Sequence, residues 1–128
     1  MDKYTILRFK DVPPQHFGGD PSAVDVRFYR DQLGMAGGGM TIIKIGPGIT
    51  TPAHTHRNQE EVYLVIDSEV TIKLEDKLVR LKPYDAVRVP KEVKRALRNM
   101  GKGPATTIAF GTPNTGPGDA NPIDNFWD

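Results

Sequence analysis

Short stretches of alternating apolar and polar residues recur along the chain, separated by Gly, Pro, Asp and Asn. They read YTILRF, AVDVRFYR, GMTIIKI, EVYLVI, EVTIKLE, KLVRLK, DAVRVP, VKRALRN and ATTIAFG. In EVTIKLE, Val70, Ile72 and Leu74 fall on one face of a strand, while Thr71 and Lys73 fall on the other. One face is therefore expected to be buried and the other to meet water. Many short strands of this kind predict an all-β fold, a sandwich or barrel of antiparallel strands.

The length of 128 residues leaves room for one domain with a hydrophobic core, and no helical period or internal repeat argues for more. We expect a single domain over 1–128, with N-terminal strands in 1–39 and a C-terminal arm over 112–128. The arm is loop-like except near Phe126 and Trp127, and this apolar end is expected to dock on an apolar surface.

Charge and composition exclude several classes of partner. Lys and Arg total 17 and Asp and Glu total 16, so no overall field attracts nucleic acid or an anionic membrane, and neither is expected as a partner. No apolar run resembles a signal peptide or approaches the ~20 residues that cross a bilayer, which favours a cytoplasmic protein. Cysteine is absent, so imidazole and carboxylate are the strong metal ligands that remain.

The stretch PAHTHRNQEEVYLVI, residues 52–66, carries the candidate chemistry. Residues two apart on a strand point to the same side at ~3.3 Å per residue, so His54 and His56 can reach one ion. Glu60 or Glu61 could complete a two-histidine, one-carboxylate set that suits Fe(II), Mn(II), Ni(II) or Zn(II). Alternation does not choose between the glutamates, because both faces of the following strand are apolar. A polar surface loop with two solvated histidines explains the same residues equally well.

The same stretch resembles the first motif of the cupin superfamily, G-x5-H-x-H-x4-E-x6-G. The residues that fit this motif in type and spacing are Gly48, His54, His56 and Glu61. Ser68 stands at the position of the closing glycine, a departure that concerns a turn and not the ligands. The resemblance implies that Glu61, rather than Glu60, is the third metal ligand.

The later stretch LKPYDAVRVPKEVKRALRN resembles the second cupin motif, G-x5-P-x-G-x2-H-x3-N. Pro90 and Asn99 match it, whereas Tyr84 and Glu92 stand at the two glycine positions. Arg95 stands at the position of the motif histidine, which is a fourth metal ligand in many cupins.

Together the two motifs cover about 45–111 and imply a double-stranded β-helix, the jelly-roll-type cupin barrel, with its core at about 40–111. The sequence is most similar to small single-domain bacterial or archaeal cupins of undefined function. The resemblance also implies a homodimer, for which the apolar stretches YTILRF and IDNFW at the two ends are suitable material.

Alternation puts Val93, Arg95 and Leu97 on one inward face, so a guanidinium is expected inside the barrel. Arginine cannot bind a cation, and breaking a buried ion pair costs ~3–5 kcal/mol, so a carboxylate is expected beside it. Three arrangements stay open. Glu61 pairs with Arg95 in place of a metal, or the three ligands hold a metal while Arg95 binds a substrate carboxylate or phosphate, or Arg95 reaches solvent at the rim.

Two kinds of function follow from these arrangements. One is a barrel that binds a small molecule beside a divalent metal (Zn, Mn, Fe or Ni, at partial occupancy), with Arg95 and Tyr63 as substrate-binding residues and a small oxygenated anion as substrate. The alternative is a non-catalytic ligand-binding or scaffold barrel without metal. The first is favoured because three ligands at the right spacing are otherwise unexplained. Whether the protein is an enzyme stays open, since one barrel supports many chemistries.

Overall fold

The computed structural model describes residues 3–16 and 22–127, which form two antiparallel sheets. The strands are β1 (Pro14–His16), β2 (Val24–Phe28), β3 (Gly39–Ile45), β4 (His54–His56), β5 (Glu60–Asp67), β6 (Val70–Leu74), β7 (Lys77–Leu81), β8 (Ala86–Val89), β9 (Arg95–Arg98), β10 (Ala105–Thr112) and β11 (Ala120–Pro122). A helical turn, α1, covers Arg30–Leu33, and a 3-10 turn covers Phe9–Asp11. Within these ranges no helix has the length and apolarity needed to cross a membrane.

The sheets face each other across one apolar core. The larger sheet has the order β1-β2-β3-β10-β5-β8 and the smaller the order β11-β4-β9-β6-β7. Strands of both sheets supply the core, whose most deeply buried apolar residues include Ile45, Val65, Val70, Ile72 and Val89. The predicted all-β, jelly-roll-type barrel is confirmed.

Every stretch predicted to be a strand forms one except YTILRF at the N-terminus. Tyr4 and Ile6 are exposed, and the chain enters the 3-10 turn at Phe9 instead. Arg27 Nη1 donates hydrogen bonds to the carbonyl oxygens of Phe9 (2.9 Å) and Val12 (3.3 Å). The Arg27 side chain therefore forms the hydrogen bonds that a neighbouring strand was expected to form with this backbone. The N-terminal strands are β1 and β2 instead.

The C-terminal arm folds back on its own chain. Lys73 Nζ donates to the carbonyl oxygens of Phe126 (2.6 Å) and Trp127 (3.2 Å). The same Nζ lies 4.8 Å from the Phe126 ring centroid, and Arg98 Cζ lies 4.4 Å from that of Trp127. The expectation of an apolar docking surface is wrong in this respect, because the aromatic rings rest on two cations of the smaller sheet.

At two turns, residues other than glycine stand at glycine positions of the cupin motifs. Ser68 and Tyr84, which stand at motif glycine positions, have φ angles of 65° and 72°. This left-handed region costs a residue with a side chain about 1–2 kcal/mol and is free for glycine. Gly48, which matches the first motif, has a φ of 75°. The backbone thus keeps the glycine conformation at positions where the side chain has changed.

The outer face of the larger sheet is apolar along its central strands. On β10, Thr107 and Ala109 are buried, and they alternate with Ile108 and Phe110, which face outwards. Neighbours in register extend this surface into two rows, Ile42–Ile108–Leu64 and Met40–Phe110–Val62. A contiguous apolar surface on the water side of a sheet is a candidate interaction site. We propose that this face, rather than the two terminal stretches, forms the contact of the homodimer that the cupin resemblance implies.

Placing a charge in the middle of this face is expected to dissociate the dimer. The variant Ile108→Glu would bury a carboxylate at the contact, so it should sediment as a monomer where the wild type sediments as a dimer at micromolar concentration. Thr106→Glu, on the same strand and face but at its edge, is the matched control and should remain a dimer. A wild type that sediments as a monomer would remove the basis for this proposal.

Candidate metal centre

The candidate ligands come from both sheets and meet inside the barrel. His54 and His56 lie on β4, and His54 is directly opposite Arg95 of β9 in the smaller sheet. Glu61 lies on β5 in the larger sheet with its side chain turned inwards, while Glu60 is exposed. The structure therefore brings together the two histidines and the glutamate that the cupin resemblance implies.

Four side chains converge on one oxygen, Oε1 of Glu61. The distances are 3.0 Å to His56 Nε2, 3.4 Å to His54 Nε2, 3.3 Å to Arg95 Nη1 and 2.6 Å to the hydroxyl of Tyr63. The ligand atoms of His54, His56 and Glu61 all lie within 4.8 Å of one another. This cluster of two imidazoles and a carboxylate is able to hold a metal ion.

The charges of these groups depend on one another. Burial alone would raise the pKa of Glu61, but its contacts with His54 and His56 hold that pKa far below the ordinary value of 4.5. Burial, and then the negative charge of Glu61, raise the pKa of Tyr63 well above 10.0. Glu61 is therefore ionised. The Tyr63 hydroxyl stays protonated and donates a hydrogen bond to Oε1. Tyr63 acts here as a hydrogen-bond donor to the carboxylate.

Partners on the far side of each imidazole fix which nitrogen faces the cluster. His54 Nδ1 lies 3.1 Å from the carbonyl oxygen of Pro52, and His56 Nδ1 lies 2.9 Å from Oδ2 of Asp119. A carbonyl and an ionised carboxylate only accept hydrogen bonds. Each Nδ1 therefore carries a proton and donates a hydrogen bond to its partner. Each histidine thus presents Nε2 to Glu61, which is the orientation that a metal ligand needs.

His56 Nε2 is buried and makes no hydrogen bond within residues 3–16 and 22–127, although it lies 3.0 Å from Glu61 Oε1. The contact is close enough for an ion pair when His56 is protonated, but it is not aligned as a hydrogen bond. Two ligands at about 2.1 Å from one ion lie no more than about 4.2 Å apart. The distances from Glu61 Oε1 to His56 Nε2 (3.0 Å) and to His54 Nε2 (3.4 Å) therefore suit a shared cation. When His56 is neutral, its Nε2 lone pair and the anionic oxygen of Glu61 face each other in the interior, and a divalent metal fits between them.

Arg95 is fully buried beside this cluster. Its Nη1 lies 3.3 Å from Glu61 Oε1, and its Nη2 donates a hydrogen bond of 2.7 Å to the carbonyl oxygen of Pro90. The side chain therefore does not reach solvent, which removes the third of the three arrangements. The ion pair with Glu61 forms in the same structure that assembles the metal ligands.

A cavity of about 620 Å³ adjoins the cluster. His56 and Glu61 lie on its wall, together with Arg30, Asp31 and Asp119, and the other lining residues are uncharged. A few polar groups on a mainly apolar wall are typical of small-molecule sites. Arg95 and Tyr63 contact Glu61 from behind and are not part of this lining, so direct substrate contact by either stays a prediction.

Sequence reasoning missed Arg30 on the cavity wall and, beside the metal cluster, Asp119. Asp119 lies on the C-terminal arm, 63 positions from the histidine that it contacts, in a stretch expected to be a loop. No local spacing could have joined Asp119 to the metal motif. The available signal was an aspartate inside TGPGDAN, a composition that predicts only a turn.

Comparison with known proteins supports the fold that the strands define. Residues 41–111 match the family model described as a cupin domain. The chain belongs to the cupin family. A comparison with curated proteins gives no match.

Solved structures share the fold at low sequence identity. A cupin protein from Bacteroides fragilis is 17% identical, with 90% of this chain and 88% of that chain covered and a TM-score of 0.72. A predicted oxalate decarboxylase from Thermotoga maritima is 16% identical (85% and 99% covered, TM-score 0.71). A sugar phosphate isomerase from Silicibacter pomeroyi is 18% identical (84% and 75% covered, TM-score 0.71). At these identities the likeness extends to the fold alone.

Stability of the metal-free cupin should pass through a maximum between about pH 4.5 and 6.5. The lowered pKa of Glu61 contributes stability above its ordinary value of 4.5, and this is lost as the pH falls. Burial would lower the pKa of His56, but Glu61 and Asp119 raise it above 6.5, so its contribution is complete below 6.5 and is lost as the pH rises through the raised value.

Thermal unfolding in the presence of a chelator, followed from pH 3 to 9, measures this dependence. A His56→Gln variant is the control and should lose much of the decline on the alkaline side. A wild-type unfolding midpoint that rises steadily from pH 6.5 to 8.5 would contradict the assignment.

Proposed function

We propose that this cupin binds one divalent metal ion through His54, His56 and Glu61, and a small oxygenated anion in the adjoining cavity. The observation that carries the proposal is the buried Nε2 of His56, which has no hydrogen-bond partner among the described residues and faces the ionised oxygen of Glu61. Zn(II), Mn(II), Fe(II) and Ni(II) suit these ligands, and three protein ligands leave positions open for another molecule. A metal held there would polarise an oxygen of the bound anion.

Arg95 and Tyr63 act on this site through Glu61. Both donate to Oε1 and so fix the direction of the carboxylate. The guanidinium also carries a positive charge 3.3 Å from the oxygen that a cation would share, and like charges repel. We therefore expect the metal to be held more weakly than in cupins with a fourth histidine, and occupancy after purification to be partial.

The nature of the ligand is inferred from the cavity wall. Arg30 Nε lies 2.9 Å from Asp31 Oδ1, and the Asp31 side chain is 84% exposed. An exposed ion pair is weak, so a carboxylate or phosphate entering the cavity could take the place of Asp31 on the two-pronged guanidinium. Oxalate and sugar phosphates, which appear in the names of two structural neighbours, are small oxygenated anions. These names support the class of ligand and nothing narrower.

Substitution of one ligand should remove metal binding, and substitution of Arg95 should strengthen it. His54→Ala takes away one of three ligands, so affinity should fall by more than the about 10–100-fold that loss of an outer hydrogen bond costs. Arg95→His removes the repelling charge and supplies a fourth imidazole, so affinity should rise. Elemental analysis of untagged protein and calorimetric titration with Zn(II) and Mn(II) measure both changes.

His16→Ala is the matched control, because it removes the remaining one of the three histidines, which lies on β1 and outside the cluster. It should bind metal as the wild type does. If the wild type carries no metal, takes up none, and Arg95→His changes nothing, the metal-binding proposal is wrong.

Removal of the cation on the cavity wall should weaken anion binding without affecting the metal. We expect oxalate to bind the Mn(II)-loaded protein, and Arg30→Gln to weaken this binding about tenfold through loss of a charge-assisted hydrogen bond. Water-proton relaxation of the bound Mn(II) reports the titration. Arg88→Gln, at an arginine paired with Glu60 outside this cavity, is the matched control. Equal oxalate affinity in Arg30→Gln and wild type would contradict the role of Arg30.

A second candidate function is a metal-free barrel that binds a ligand without catalysis. The ion pair between Arg95 and Glu61, which occupies the carboxylate in the present arrangement, favours it. In that case the metal titrations give no binding, while oxalate or a related anion still binds the untreated protein in a manner that depends on Arg30.

A further inference from the structure

Asp119 is a buried carboxylate that the C-terminal arm places against the metal cluster. It is only 8% exposed. Its Oδ2 accepts from His56 Nδ1 at 2.9 Å and from the backbone N–H of Gln59 at 3.1 Å. Its Oδ1 accepts from Asn58, through the backbone N–H at 3.1 Å and the side-chain amide at 2.9 Å. These donors hold the carboxylate in one orientation.

We propose that Asp119 is a positioning residue for His56, in that its carboxylate keeps the proton on Nδ1 and thereby directs the Nε2 lone pair at the metal position. The part of this inference that concerns affinity rests on the proposed metal-binding function. Carboxylates behind metal-binding histidines fix the tautomer and make the imidazole a stronger ligand. His54 has only a neutral carbonyl oxygen in the corresponding place, so the two histidines are not equivalent.

The opposing interpretation is that Asp119 only fastens the arm to the loop at Asn58 and Gln59. The rest of the arm has attachments of its own, however. Arg57 donates to Gly118 and to Asn121, and β11 pairs with β4. The last aromatic residues rest on Lys73 and Arg98. The arm should therefore stay docked when Asp119 loses its charge, and the positioning role can be tested separately.

Asp119→Asn is the informative variant, because it keeps the size of the side chain and replaces one acceptor oxygen with a donor. We expect the Nδ1–H tautomer of His56, visible by 15N NMR of the metal-free wild type at pH 9, to be lost in this variant. Zn(II) affinity should fall about 10–100-fold. Asn58→Ala is the matched control: it removes a hydrogen bond to the same carboxylate but leaves the contact with His56. Its tautomer should be unchanged and its affinity should stay within about threefold of the wild type.

Fluorescence of Trp127, the only tryptophan, reports whether the arm remains docked in each variant. The inference is overturned if Asp119→Asn keeps the wild-type tautomer, if it keeps the wild-type Zn(II) affinity, or if Asn58→Ala weakens binding equally. A wild type that takes up no Zn(II) disproves the proposed function instead. The metal-free NMR comparison then decides the role of Asp119, and retention of the Nδ1–H signal in Asp119→Asn overturns it.

Discussion

The site depends on the ionised carboxylate of Glu61, which is largely buried. A buried ionised group must be surrounded by donors or cations, because water no longer solvates it. Here the partners come from three strands: the histidines from β4, Arg95 from β9 and Tyr63 from β5 itself. Because Oε1 of Glu61 has partners on strands of both sheets, it links the two sheets of the barrel at the point where the cavity begins.

In the proposed metal site, Arg95, a protonated His56 and a metal ion would compete for the same oxygen. Without metal, Arg95 and Tyr63 hold Glu61, and His56 gains a proton more readily than an ordinary histidine because two carboxylates face it. A divalent ion would replace the proton and weaken the hold of the guanidinium. Asp119 acts on this competition from behind His56, so the C-terminal arm is part of the chemistry of the site.

Local pattern predicts much of this fold because alternation and turn residues are properties of neighbours in sequence. It predicts β2, β3 and the strands from β5 to β10, and the inward direction of Arg95 follows from alternation alone. The choice of Glu61 required the cupin motif, since both faces of β5 are apolar. The N-terminal stretch and Asp119 could not be predicted, because Arg27 and His56, which decide their structure, lie far away in the sequence.

Anomalous diffraction from crystals grown with Co(II) would locate a metal ion in this site. We predict one peak at about 2.0–2.2 Å from Nε2 of His54, Nε2 of His56 and a carboxylate oxygen of Glu61, with Arg95 outside the coordination sphere. Crystals with no peak at this position, and with Arg95 still paired to Glu61, would contradict the account.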